Sequence, residues 1–231
     1  MKKKSKSSTY LDKIHDILFQ PKKFFNSVKK EVDYWPIIFF YVVIFAIAQV
    51  IETISALPSL MNLPSGEEKV ISIVMLIVVL FFSIAFAFLV PFIYSGLIHA
   101  GVYIFGGRKG FFNTFKPITY AAIIGIIYSA ISSIIIGVYS IFYPFQNLDA
   151  NPFEIFTGSN LTFHLIIPLI IGLISFVHSL IVEVIGVSKF QSFTYSRALL
   201  AVIIIPLILT MIFFVALGTT ILAMLLGFSN I

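Results

Sequence analysis

Five long apolar stretches, separated by short polar segments, set the pattern of this chain. The stretches run over about 34–51, 70–105, 120–143, 164–187 and 198–228, and each can cross about 30 Å of hydrocarbon as a helix. The pattern therefore predicts an all-α, polytopic membrane protein with five transmembrane helices. Tyr34 and Trp35 open the first, where amphipathic rings settle at an interface, and Glu52 is expected to end it. The second is 36 residues, roughly 54 Å of helix, and contains Pro91. Cutting it in two would move Arg108, Lys109 and Lys116 to the acidic side, so it reads as one kinked span. The third carries Ala121, Gly125, Ser129, Ser133 and Gly137 in an unbroken i, i+4 series. Small residues so spaced let helices approach closely, within this chain or with a second protomer.

Ahead of the first span, residues 10–33 show helical apolar spacing in two pieces split at Gln20-Pro21. Leu11, Ile14, Ile17 and Leu18 make one face, Phe24, Phe25, Val28 and Val32 the next, with lysines opposite. This predicts a basic amphipathic arm, residues 1–33, lying in the headgroup plane and followed by a membrane domain, residues 34–231. No apolar core follows Met1-Lys2-Lys3-Lys4 soon enough for a cleaved signal peptide.

Charge then sets the expected orientation. The arm and the turns at 106–117 and 188–197 hold fourteen basic residues and four acidic ones, while the other side has Lys69 against five acids. The positive-inside rule places the N-terminus inside and the C-terminus outside. The net charge of +5 is thus explained by insertion and by anionic headgroups rather than by nucleic acid. With 59% hydrophobic residues, a water-soluble domain is excluded. Zero cysteines remove disulfides and thiolate chemistry. The expected localisation is an integral multi-pass membrane protein, in the plasma membrane if the source is prokaryotic.

The basic turns echo one another. Lys22-Lys23-Phe24-Phe25-Asn26-Ser27-Val28-Lys29 aligns with Lys109-Gly110-Phe111-Phe112-Asn113-Thr114-Phe115-Lys116, and Lys189-Phe190-Gln191-Ser192-Phe193 is a weaker third copy. Phe24, Phe25, Lys109, Phe111, Phe112 and Lys116 are the expected partner- or lipid-contacting residues.

Pro21 with Phe24, the run from His99 through Gly106-Gly107 to Phe111 and Phe112, Tyr120, Gly186, Arg197-Ala198-Leu199-Leu200 and Pro206 together resemble the Ypt-interacting protein (Yip) family. The resemblance covers about residues 20–220 and implies a cytoplasmic N-terminus with five membrane helices. Eukaryotic relatives are linked to Rab-type GTPases and vesicle traffic; the short arm and the Ile-rich, cysteine-free composition point instead to a prokaryotic source. No catalytic residue carries over. The expected function is a non-enzymatic membrane scaffold or adaptor without cofactor, acting on anionic lipid and on a membrane-protein partner or a second copy.

Ionisable groups within spans are functional candidates by default, and His99, His178 and Glu183 all fall near the basic end. Converged, they would suit a divalent metal or a proton relay. Otherwise each His takes a neighbouring hydroxyl or carbonyl, and Glu183 pairs with Lys189, Arg197 or Arg108. His178 and Glu183, five apart, stand about 140° around a helix and chelate poorly. Pro91, Pro168 and Pro206 interrupt spans and keep a small-solute or ion transporter as the alternative. Asn160-Leu161-Thr162 is an acceptor-type tripeptide, and no HExxH or GxSxG occurs.

Overall fold

The computed structural model describes residues 9–61, 66–143 and 159–228. The acidic segment with Asp149 and Glu154, the Asn160-Leu161-Thr162 side chains and the lysines at the start lie outside the described set. Eight α-helices follow one another, and no strand occurs among the described residues. α1 (Tyr10–Phe19) and α2 (Pro21–Ser27) form the arm, continued by one 3-10 turn at Val28–Lys30. Next come α3 (Tyr34–Met61), α4 (Glu67–Phe86), α5 (Leu89–Ile104), α6 (Phe112–Phe142), α7 (Ser159–Gln191) and α8 (Tyr195–Phe228). Five of these are long and apolar enough to cross a membrane: α3, α4, α6, α7 and α8.

The arm divides where the sequence places the division. Thr9 and Asp12 form a reciprocal cap at the start of α1, and Pro21 occupies the first turn of α2, where its missing N–H costs nothing. Its apolar face does not lie on a membrane surface, however. Ile17, Phe24, Phe25 and Val28 are buried in one cluster with Ile37 and Phe40 of α3, Phe115, Tyr120 and Ile124 of α6, and Val182 and Phe190 of α7. Leu11 and Val32 remain exposed.

Two expected boundaries shift. α3 does not stop at Glu52 but continues through Pro58 to Met61. A second break falls inside the stretch expected as one helix: α4 ends at Phe86 and α5 starts at Leu89. Pro91 explains that position, because its ring has no N–H for the carbonyl of Ala87, four residues back, and crowds it. Ala87 donates to Ile84 instead, tightening the turn. The two halves then have different neighbours: α4 packs mainly on α3, α5 on α6 and α8.

At the centre stands α6, packed most extensively on α3 and α7. Its small-residue series does not form a single face. Each i, i+4 step turns about 40° past a full revolution, so the row winds from one neighbour to the next. Ala121 is buried in the cluster, Gly125 faces the hydroxyl of Ser175 on α7, Ser129 reaches α3, and Gly137 meets the backbone of Ser55 on α3. Ser133 is half-buried. On the outside, Ile47, Phe81, Phe82, Ile134, Phe176, Leu207 and Phe213 are exposed, and no side chain of α4 is buried. So wide an apolar exterior has a low free energy only in lipid or against another membrane helix.

Candidate functional site

The three basic aromatic turns meet at one end of the bundle. Phe25 of the arm stands edge-on to Phe190 of α7 at 5.9 Å, and Phe24 edge-on to Tyr120 of α6 at 4.8 Å. Gln191 ties the second turn to the third: its carbonyl oxygen accepts from the Lys109 N–H at 3.2 Å, and its amide donates to the carbonyl of Gly110 and to the Thr114 hydroxyl. Lys109 Nζ donates to the hydroxyl of Ser192.

Beneath this layer lies Lys116, 1% exposed. Its ammonium donates to the Val28 carbonyl at 3.1 Å and to the Glu31 carbonyl, and stands 4.8 and 4.9 Å from the rings of Phe112 and Phe190. The Glu31 side chain accepts from Tyr120 at 2.7 Å and pairs with Lys13 at 3.3 Å. A buried ammonium is tolerated here because main-chain acceptors and ring faces replace its water. The same group adds a second donor to the Val28 carbonyl, which already accepts from the Glu31 N–H, and supplies one to the Glu31 carbonyl.

This geometry corrects the expected contact surface. Phe24, Phe25 and Lys116 are buried within the chain, and Phe111 and Phe112 pack partly against the same core. The aromatic members of the echo turn toward the core, Lys189 is half-buried, and Lys22, Lys23, Lys29 and Lys109 are exposed, as are the adjacent Lys30 and Arg108. Composition alone does not separate a ring that contacts lipid from one that packs a helix.

His99, His178 and Glu183 do not converge on one another. His99 Nδ1 bonds the Thr114 hydroxyl at 2.8 Å and its ring stands edge-on to Phe111. His178 uses both nitrogens: Nε2–H donates to the Leu18 carbonyl at 3.0 Å and Nδ1 accepts from Tyr128 at 3.3 Å. Glu183 accepts from Tyr94 at 3.1 Å and forms no ion pair with Lys189, Arg197 or Arg108 among the described residues. No three metal-ligating side chains cluster among those residues.

A fourth ionisable group inside a span escaped the sequence reading because it was placed in a loop. The Glu52 carboxylate accepts from Gln49 at 2.7 Å and from Ser129 at 2.6 Å, and Gln49 in turn accepts from Ser83 at 3.0 Å. The network links α3, α4 and α6.

The Yip1 domain matches residues 16–217, most of the chain and nearly all of the helical bundle. The chain belongs to the Yip1 domain family. No curated protein and no solved structure matches it. With five apolar helices and an apolar exterior, this Yip1 protein is an integral, multi-pass membrane protein.

Several residues that carry the likeness have readable tasks in this Yip1 fold. Gly106 adopts φ +81°, a left-handed turn that leads the chain out of α5, and its Cβ position is closed by the Arg197 guanidinium. A Cβ at Gly186 would stand 2.4 Å from Pro117 Cβ and 2.8 Å from the Phe25 ring, so glycine lets arm, α6 and α7 meet there. Ser192 at φ 59° closes α7, with Phe193 N–H returning to the Ser188 carbonyl.

Proposed function

We propose that this Yip1 protein is a non-enzymatic membrane scaffold whose basic end rests on anionic lipid headgroups, with that end and the N-terminus inside and the C-terminus outside. One observation carries the reading: the three basic turns are fixed by inward aromatics and by Lys116, while Lys22, Lys23, Lys29, Lys30, Arg108 and Lys109 face outward from them. Lysines and arginines held near an anionic surface contribute about 1 kcal/mol each, without an ordering cost for the segment that carries them. The positive-inside asymmetry puts the same end toward the anionic leaflet. In a prokaryotic cell the membrane concerned is the plasma membrane.

The test is lipid retention. Purified protein in nanodiscs of mixed phosphatidylglycerol and phosphatidylcholine should enrich the anionic lipid in its boundary layer. Replacing Lys22, Lys23, Lys29 and Lys30 together by Gln should abolish the enrichment and leave the melting temperature unchanged. Equal enrichment in wild type and variant would overturn the reading. A protein partner that co-purifies through the same lysines in place of lipid would overturn it equally.

A further inference from the structure

A cavity of about 240 Å³ lies between α5, α7 and α8, and none of the lysines of the basic end lines it. Its polar lining consists of the Tyr94, Ser179 and Thr210 hydroxyls and the carboxylate of Glu183, which is 4% exposed. The cavity gathers one carboxylate and three hydroxyls, and no basic side chain lines it. Glu183 has one hydrogen bond, from Tyr94, where a carboxylate accommodates about four.

The other walls are apolar, and Phe176 and Leu207, both in the lining, are largely exposed on the lipid-facing exterior. We propose that this cavity binds a small lipophilic ammonium ion, an aryl- or alkylamine that enters from the bilayer side and sets its N–H donors on Glu183 and the hydroxyls beside it. A metal ion fits the lining poorly, since a single carboxylate among hydroxyls offers far fewer charged oxygens than calcium or magnesium sites use. An uncharged apolar guest would leave the carboxylate buried beside it without a counter-charge. The volume lies just under the usual drug-site range, which limits the guest to one ring or a short chain. The proposal is independent of the scaffold reading, because none of the exposed lysines takes part.

The full chain in nanodiscs, titrated calorimetrically with phenethylamine and with its uncharged isostere 2-phenylethanol, tests this. Saturable binding of the amine and no saturable binding of the alcohol are expected. Glu183→Gln, which keeps an acceptor for Tyr94, should weaken amine binding by about tenfold or more, the scale of a lost charge-assisted hydrogen bond. Thr210→Trp should block the cavity with the carboxylate intact, and decides the matter alone if Glu183→Gln does not fold. Amine binding unchanged in whichever variants fold, or equal binding of the alcohol, would show a cavity filled by lipid or water and would overturn the proposal.

Discussion

Lys116 and Val28, 88 positions apart in the chain, are joined by a hydrogen bond of 3.1 Å from the lysine ammonium to the main-chain carbonyl. The bond, with its companion to Glu31, fastens the arm beneath the bundle. Lys116→Met keeps the stem and removes the donors, leaving the Glu31 carbonyl without this bond and the Val28 carbonyl with only the Glu31 N–H, at about 1–3 kcal/mol in all. The arm should then detach more often than the bundle unfolds. Trypsin cleavage after Lys22 and Lys23 should accelerate in the variant while cleavage after Lys109 is unchanged.

Phe25 distinguishes a core residue from a docking residue. Phe25→Ala empties a site between Phe24, Phe190 and Gly186 and should cost about 3–5 kcal/mol, the usual range for a buried ring. Lys29→Gln, on the exposed side of the same segment, should change stability by under about 0.5 kcal/mol. Melting temperatures in one detergent compare the two directly.

The helical class and the count of five membrane-length apolar helices were legible in the sequence, and so was the split of the arm at Pro21, because hydropathy and proline act locally; the break between α4 and α5 was not. The fate of the arm was not. Apolar spacing at Phe24, Phe25 and Val28 reports that one face avoids water and is silent on whether lipid or protein covers it. Glu52 misled for a related reason: a lone carboxylate normally ends a span, and only the folded chain shows Gln49 and Ser129 beside it. For the histidines the sequence left a cluster and a hydroxyl or carbonyl partner open, and in the fold each has such a partner; Glu183, expected to pair with Lys189, Arg197 or Arg108, takes Tyr94 from α5 instead.

Glycines on α5 and α7 should respond to alanine with opposite signs. At Gly101 a Cβ would lie 2.1 Å from the Ala201 carbonyl oxygen, so Gly101→Ala must separate α5 from α8 and should cost about 1–3 kcal/mol. Gly172 meets nothing within 4 Å, and Gly172→Ala should gain about 0.5–1 kcal/mol of helix stability. A thermal shift of Gly101→Ala that is zero or upward would contradict the close α5–α8 contact.

The Glu52 network predicts how α4 is held. Ser83→Ala removes the hydroxyl that α4 contributes to Gln49, and hydrogen bonds between membrane helices are worth roughly 0.6–2 kcal/mol. Since α4 buries no side chain, it should loosen without unfolding the rest. Hydrogen exchange should rise over 67–86 and remain unchanged over α6. Glu52→Leu, which strands Gln49 and Ser129 together, should raise exchange on α3 and α6 as well.

Orientation is testable with the chain's own lack of cysteine, since every introduced thiol is a unique label. Lys22, Lys109 and Glu67 are exposed side chains, the first two at the basic end and the third in the first turn of α4. If positive charge sets insertion, a membrane-impermeant maleimide applied to intact cells should label Glu67→Cys and spare Lys22→Cys and Lys109→Cys. Opening the cells should label all three. The reverse pattern would turn the molecule over and place the exposed lysines outside, removing the electrostatic ground for an anionic-leaflet scaffold. Labelling of Lys22→Cys and Lys109→Cys from opposite sides would mean that the arm, which Lys116 joins to α6, does not pack there in the cell.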